Sequence, residues 1–152
     1  MRFTLLLLLT APLALAEFRA MTLGFEGMGC ASCIESLPAR MKRMRGVESA
    51  EVNSAKGVLT LKLAPGNKIR LEQVRDAIEQ DGTKVRTAAV EIEGVISKDK
   101  EKYFIRPEGL AVTYELRGHN LKEGPAIVLA DTPQLRPAQG PISFEVRELR
   151  AR

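Results

Sequence analysis

The hydrophobic positions before residue 94 follow two periods in alternation. Apolar residues recur at every second position in four segments, which predicts strands at 19–25, 47–53, 58–63 and 85–92. They recur every three or four residues at 34–44 and 71–78, which predicts two amphipathic helices that end at Gly46 and Gly82. The predicted order is βαββαβ, which packs as two helices on one face of a four-stranded antiparallel sheet.

Beyond Gly94 the helical period disappears. Apolar and polar residues alternate at 112–116 and 142–146, and shorter apolar pieces lie around Phe104 and at 127–129. Proline and glycine residues separate these pieces at intervals typical of an all-β module of about five strands. We therefore predict an α+β protein, with a ferredoxin-like domain over 17–93 and a small all-β module, a barrel or half-sandwich, over 94–152.

The first 16 residues have the pattern of a secretory signal. Arg2 is followed by an apolar run that reaches Ala16, and this run is shorter than the about 20 residues that a membrane-spanning helix needs. Ala14 and Ala16 are small residues at the two positions that a signal peptidase reads. We predict cleavage after Ala16 and an exported, periplasmic protein; an uncleaved N-terminal anchor is the alternative.

Composition excludes several classes of protein. Of 152 residues, 45% are hydrophobic and 28% are charged, which is typical of a globular chain and not of a disordered one. The net charge is +4, and residues 17–152 carry +3, with 22 basic and 19 acidic residues. This surplus is too small to predict a nucleic-acid partner, although it favours a partner with an acidic face.

Cys30 and Cys33 are the residues most suited to chemistry. They are the two cysteines of the chain, and two thiolates three positions apart suit a soft cation of low coordination number, such as Cu(I) or Hg(II). A tetrahedral zinc site would need two further ligands, and the single histidine, His119, lies in the other half of the chain. Redox motifs share this spacing, and an oxidised pair without function is a third possibility.

The placement of the pair predicts activated thiols. Ser32 and Glu35 have the spacing of a capping box just before the helical period. Cys33 would then be the first residue of the helix, and Cys30 would lie in the preceding loop. Free N–H groups and the positive end of the helix dipole stabilise a thiolate at this position.

The segment 19–93 resembles the heavy-metal-associated domain of copper chaperones, P-type ATPase metal-binding domains and periplasmic mercury-binding proteins. Its residues 27–33 fit the family motif G-M-x-C-x-x-C between the first strand and the first helix. Gly46-Val47 and Asp81-Gly82 follow the two helices as they do in the family. The resemblance implies that Cys30 and Cys33 bind the metal and that Met28 packs beneath the loop.

Three positions depart from the family pattern. Gly29 replaces the usual Thr or Asp, and the absence of Asp favours a monovalent soft metal. Thr83 stands where bacterial copper-binding members often have an aromatic residue, and Lys84 beside it can offset the charge of two thiolates. Pro38 lies inside the first helix, where it removes a backbone hydrogen bond and favours a kink.

These features predict a metal carrier and not an enzyme. We expect one Cu(I) ion between Cys30 and Cys33, with Hg(II) or Ag(I) as other soft ions that the same sulfurs accept. The expected partner is a metal-transporting membrane protein or another metal acceptor with an acidic face. The alternatives are a periplasmic Hg(II) scavenger, an exported thiol–disulfide oxidoreductase, and an adaptor whose β-rich module binds another envelope protein.

The remaining candidates have structural interpretations. Met41 and Met44 have helical spacing and are expected in the core. The basic residues near the end of the first helix form a solvated face or a docking patch, and they are Arg40, Lys42, Arg43 and Arg45. His119 is expected at the surface, and 98–102 is expected to be a charged loop.

Overall fold

The computed structural model describes residues 17–27, 30–107 and 109–152, so the predicted leader lies outside the described residues. Over these residues the chain is α+β, with two helices as predicted. Its elements are β1 (Phe18–Glu26), α1 (Ala31–Lys42), β2 (Val47–Asn53), β3 (Val58–Leu63), α2 (Leu71–Glu79), β4 (Lys84–Asp99), β5 (Lys102–Arg106), β6 (Tyr114–Arg117), β7 (Gly124–Thr132) and β8 (Ser143–Ala151). In the part of the chain that the structure describes, neither helix has the length and apolar character needed to cross a bilayer.

The first four strands form an antiparallel sheet in the order β2-β3-β1-β4, as the βαββαβ pattern predicts. Alternate residues of β1 are buried, so one face of the sheet is covered. Leu37 and Met41 of α1 and Val74 and Ile78 of α2 belong to the same buried core. The helix α1 continues through Pro38 from Ala31 to Lys42.

The strand β4 is longer than predicted. It was expected to end at Ile92, but it runs to Asp99 and passes through Gly94. A Cβ atom at Gly94 would lie 2.8 Å from Cγ1 of Ile105, so this glycine permits the close approach of β5 and does not break the strand. The strand therefore crosses the predicted boundary at residue 94, and both segments of the chain share it.

The second half of the sheet closes on itself through β4. The strands pair in the ring β4-β5-β6-β8-β7, and β7 pairs with β4 again. The pair β6–β8 is parallel, whereas the other pairs in the ring are antiparallel. Along one edge, β4 pairs first with β1 and then with β5, while β7 occupies its other edge.

The prediction of a charged loop at 98–102 is wrong, because Lys98 and Asp99 end β4 and Lys102 begins β5. Only two residues form the turn between them. The backbone N–H of Lys98 donates to the carboxylate of Glu123 at 3.0 Å. The ammonium group of Lys98 lies 5.5 Å from the ring centroid of Tyr103. These contacts order a segment whose composition alone suggested a solvated loop.

An aromatic cluster joins the two segments of the chain. The ring of Phe18 in β1 packs edge-on against Tyr114 in β6 at 5.4 Å, and Tyr114 packs against Phe144 in β8 at 5.1 Å. The hydroxyl of Tyr114 donates to Glu72 of α2 at 2.9 Å. Burial, with the adjacent carboxylate, raises the pKa of Tyr114 far above its usual range, so this hydroxyl stays a donor.

The β7–β8 loop packs on α2. Leu135 of this loop is buried, and its carbonyl accepts a hydrogen bond of 2.5 Å from Nη1 of Arg75. Arg136 donates to Glu79 at 2.5 Å and to Asp76 at 3.1 Å. Burial alone would raise the pKa of Glu79, but the Arg136 bond and the N–H of Val85 lower it, so the carboxylate stays charged. The helix α2 is thus held between the sheet and the C-terminal segment.

Because the core is shared, the two segments should unfold together. Replacing the buried Phe144 by Ala should lower the free energy of unfolding by about 3–5 kcal/mol. Urea unfolding of this variant can be followed by circular dichroism at 222 nm, which reports α1 and α2. Tyrosine fluorescence reports the C-terminal segment, because both tyrosines, Tyr103 and Tyr114, lie there and the chain has no tryptophan.

Circular dichroism and tyrosine fluorescence should show the same unfolding transition, with its midpoint at a lower urea concentration in Phe144→Ala than in the wild type. Val95→Ala is the control, because Val95 is 55% exposed and its truncation should change stability by less than about 0.5 kcal/mol. Two separate transitions, with only the fluorescence signal moved by Phe144→Ala, would show that the segments are independent.

Candidate metal centre

The candidate site lies between the end of β1 and the start of α1. Gly27 follows β1 with a φ of 78°, a left-handed conformation that glycine adopts without strain. Cys30 has extended backbone angles (φ −148°, ψ 138°), and α1 begins at the next residue. Met28 and Gly29 lie outside the described residues, so the predicted packing of Met28 stays a prediction.

The structure brings Cys30 and Cys33 together as a disulfide, with their Cα atoms 5.3 Å apart. Both residues are half-buried, so neither is enclosed by the rest of the chain. The oxidised pair was one of the possibilities that the spacing left open. After reduction, two thiols at this position can direct both sulfurs toward one point at the protein surface.

The predicted capping box at Ser32 and Glu35 is wrong. The N-cap of α1 is Cys30, whose Sγ accepts a hydrogen bond from the backbone N–H of Cys33 at 3.1 Å. Cys33 is therefore the third residue of the helix and not the first. The hydroxyl of Ser32 lies 3.4 Å from the Sγ of Cys30, so it contacts the capping atom and does not replace it.

A second turn, between α2 and β4, is tied to α1 by hydrogen bonds. Asp81 accepts from the Oγ1 of Thr83 at 2.6 Å, from its N–H at 3.3 Å and from Nη2 of Arg40 at 3.1 Å. The Thr83 hydroxyl, its N–H and Arg40 together lower the pKa of Asp81 against the opposing effect of burial. Sequence analysis did not predict this turn, although the Asp81–Thr83 spacing, typical of a side-chain turn, is a signal that could have found it.

These bonds divide the predicted basic cluster of α1. Arg40 is 29% exposed and is engaged with Asp81, so it is part of the fold. Lys42, Arg43 and Arg45 are exposed near the end of the helix. Only these three remain available to a solvated or docking face.

The strand register places Lys84 close to the start of the loop. Lys84 pairs with Glu26, which precedes Gly27, and its side chain is exposed. Glu26 also forms an ion pair with Arg86. Lys84, which we expected to offset the charge of two thiolates, therefore lies at the end of the sheet where β1 leads into the cysteine loop.

The other candidate ligands are not brought to the cysteines. Met41 is completely buried and Met44 packs against the same core, as predicted. His119 is exposed in the connection between β6 and β7. Within residues 17–27, 30–107 and 109–152, no group of three or more His, Cys, Asp or Glu side chains is arranged to hold a metal ion.

Comparisons with known proteins find matches to the segment that contains the cysteine pair. Residues 22–84 match the family model described as the heavy-metal-associated domain. The chain is 35% identical over 60 residues to "Copper chaperone CopZ" of Staphylococcus aureus (strain bovine RF122 / ET3-1), covering 40% of this chain and 87% of the relative. CopZ of strain JH9 is 33% identical over the same shares of the two chains. A solved "CopZ metallochaperone" is 32% identical, with a TM-score of 0.39, 43% of this chain covered and 97% of that one.

The capping role of Cys30 can be tested in reducing buffer, where no disulfide contributes. Cys30→Ala should be less stable than Cys30→Ser by about 1 kcal/mol, because serine restores an acceptor for the Cys33 N–H. Ser32→Ala should change the free energy of unfolding by less than about 0.5 kcal/mol. Urea unfolding followed by circular dichroism measures all three, and a loss at Ser32→Ala as large as that at Cys30→Ala would contradict this assignment.

Proposed function

Because the chain belongs to the heavy-metal-associated domain family, we propose that it carries one Cu(I) ion between the thiolates of Cys30 and Cys33. The observation that carries this proposal is the contact of two half-buried sulfur atoms at the start of α1. Its role is carriage and not catalysis. The names of the relatives, copper chaperones over 87% of their length, support copper as the cargo.

The coordination chemistry explains how such a site can hold copper and release it. Thiolates are soft ligands that Cu(I) prefers, and two of them complete a low-coordinate site. The metal would then lie where an incoming thiolate or thioether of a partner can reach it. Transfer would proceed by exchange of one ligand at a time, so that the ion is never released into solution.

Reduction of the disulfide precedes metal binding in this mechanism. A dithiol reductant supplies two electrons and two protons, so the Cys30–Cys33 bond is broken while the reductant becomes a disulfide. Binding of Cu(I) then releases the two thiol protons. Lys84, at the neighbouring end of β4, would reduce the negative charge of the resulting bis-thiolate complex.

Anaerobic titration of the reduced protein with Cu(I) tests the carrier function. The wild-type chain should bind about one ion in competition with a chromophoric Cu(I) chelator, because the described residues bring two sulfurs together. Cys30→Ser and Cys33→Ser should each weaken binding by at least about 100-fold, since one thiolate is lost. His119→Gln should bind like the wild type, because the connection that contains His119 leads to Gly124, which pairs with Ile96, whereas the cysteine loop lies beside Lys84 at the other end of β4.

Stoichiometric Cu(I) uptake by the double variant Cys30→Ser/Cys33→Ser would disprove the assignment. Parallel titrations with Hg(II) and Ag(I) decide the cargo, since both ions accept two sulfurs. Tighter retention of Hg(II) without transfer to a dithiol acceptor would instead favour the scavenger function.

The disulfide favours one rival function, an exported thiol–disulfide oxidoreductase. Its sulfurs lie at a helix N-terminus, where thiolates are stabilised. An oxidoreductase would accelerate the reduction of insulin by dithiothreitol, whereas a carrier would leave this rate unchanged.

We also propose that residues 1–16 are a secretory leader and that the mature protein is periplasmic. The support is the sequence pattern, with its basic start, apolar run and small residues at 14 and 16. The exposed Lys42, Arg43 and Arg45 fit a partner with an acidic face. Residues 94–152 would form the additional β-rich module of the carrier.

Expression of the full chain in a bacterium with a periplasm tests the export. The protein recovered from the periplasmic fraction should begin at Glu17, as measured by intact mass and N-terminal sequencing. Ala16→Tyr should block cleavage, because a large residue does not fit the position before the scissile bond. Retention of the leader in the wild-type protein would show that it is an anchor.

A further inference from the structure

The end of the N-terminal segment that lies farthest along α1 from the cysteine loop is strongly basic. Two connections meet there, the α1–β2 turn and the β3–α2 loop, and the N–H of Ala64 donates to the carbonyl of Gly46 at 2.8 Å. Exposed cations lie in these connections and at the adjoining helix ends, and they are Lys42, Arg43, Arg45, Lys68 and Arg70. We call these five residues the basic end.

The cations of the basic end have no carboxylate partner among the residues that the structure describes. The ion pairs in this part of the chain all use other cations. Glu48 of β2 is an exposed carboxylate close to Arg45 in the sequence, whereas Glu17 is engaged with the N–H of Gly66. The basic end therefore carries a surplus of positive charge that the fold itself does not neutralise.

The backbone that carries Lys68 is fixed by Asn67. The side-chain amide of Asn67 donates to the carbonyls of Phe18 at 2.8 Å and Ala64 at 2.9 Å, and its oxygen accepts from the N–H of Ile69 at 3.1 Å. Asn67 is buried, so water does not compete for these bonds. The β3–α2 loop therefore holds its cations on a rigid support.

A cavity between the two connections is large enough for the phosphate headgroup of a lipid. Its volume is about 600 Å³, and Arg45, Lys68 and Gln73 line it beside Gly46 and Gly66. Arginine and lysine bind phosphate oxygens through charged hydrogen bonds. One anionic headgroup can therefore enter between the connections, while the other cations remain at the surface around it.

An anionic bilayer fits this surface better than an acidic protein does. Stable protein interfaces depend on a few large apolar or aromatic side chains that become desolvated. Among the described residues, the large hydrophobic side chain that is exposed is Val95, which lies in the five-stranded barrel formed by β4, β5, β6, β8 and β7 and not at the basic end. Attraction to an anionic bilayer needs no such anchor, because each lysine or arginine near the surface contributes its own charge interaction.

The start of the described chain supports a membrane as the partner. Glu17 is bonded to the N–H of Gly66, next to Lys68 of the basic end, so the leader proposed for residues 1–16 joins the chain there. While such a leader is held in the membrane during export, the basic end is close to the bilayer surface.

We propose that the basic end binds the surface of a bilayer rich in anionic phospholipids, with one headgroup phosphate between Arg45 and Lys68. On the proposed function, on which this proposal rests, such binding keeps an exported carrier close to a metal-transporting membrane protein. The acidic face expected of the partner is then the lipid surface itself.

The cysteine pair stays clear of the lipids in this arrangement. Cys30 caps the start of α1 and Lys42 ends it, and 12 residues at about 1.5 Å each separate them by about 18 Å. This distance exceeds the Debye length of about 8 Å at physiological salt, so the lipid charge is largely screened at the thiolates. Cu(I) binding should therefore be independent of membrane binding.

Co-sedimentation of the full mature protein with lipid vesicles tests the proposal. Vesicles of equal parts phosphatidylglycerol and phosphatidylcholine should bind the protein at about 0.05 M salt, and about 1 M salt should release it by screening. Vesicles of phosphatidylcholine alone should not bind it. Arg43→Gln/Lys68→Gln should weaken binding to the anionic vesicles about 25-fold, because each cation near such a surface contributes a factor of about five.

The matched control is Lys56→Gln/Lys122→Gln. It removes the same charge from exposed positions in the β2–β3 turn and in the β6–β7 connection, so it should weaken vesicle binding by less than about threefold. Circular dichroism confirms that both double variants are folded.

The metal site and the basic end are tested separately. Cys30→Ser/Cys33→Ser should bind anionic vesicles like the wild type while losing the metal, and Arg43→Gln/Lys68→Gln should bind Cu(I) like the wild type. In the reduced wild-type protein, iodoacetamide should alkylate the cysteines at the same rate with and without vesicles, because the pair faces away from the bilayer.

Four outcomes would overturn the proposal. The first is no binding to the anionic vesicles at low salt. The second is an equal loss of binding in the control double variant, which would show that net charge and not the basic end is responsible. The third is strong protection of the cysteines by vesicles, which would place the opposite end on the bilayer. The fourth is tighter binding to polyglutamate or to a double-stranded oligonucleotide than to the vesicles, which would identify an acidic protein or a nucleic acid as the partner.

Discussion

The structure depends on the pairing of β4 along both of its edges. From Ala88 to Ile92 this strand is hydrogen-bonded to β1 on one side and to β7 on the other. The four-stranded sheet and the barrel therefore have no free edge between them at this point. Phe18, Tyr114 and Phe144 fill the core at the same junction, and Tyr114 reaches Glu72 of α2. Separating the segments would expose both the backbone of β4 and this aromatic cluster.

The same constraint positions the cysteine pair. The loop leaves β1 beside the start of β4, and the register holds Glu26 next to Lys84 there. The turn after α2 is fixed by Asp81, which bonds Thr83 and Arg40 of α1. Cys30 caps the start of α1 and Cys33 lies in its first turn, so both cysteines are held by this helix.

The sequence predicted correctly the elements whose hydrophobic period is visible within a few consecutive residues. The strands β2 and β3 end where the sequence predicts, because Gly46 and the turn after Asn53 interrupt a clear alternation. The strand β4 does not end before Gly94 as predicted, since a glycine that breaks a strand and one that admits a neighbouring strand look alike in sequence. Ser32 is the better N-cap by residue type, yet the acceptor is the sulfur of Cys30. Ring closure between β4 and β7 joins residues far apart in the chain, so no local pattern contains it.

The length of β4 sets the distance between the cysteine loop and the turn that follows Asp99. Its 16 residues, at about 3.3 Å each, separate the loop end from the distal turn by at most about 50 Å. Because β4 is paired along both edges for much of this length, the cysteine loop and the turn between β4 and β5 lie at opposite ends of one rigid element. A macromolecule that docks at one of these ends would therefore leave the other end accessible to a second one.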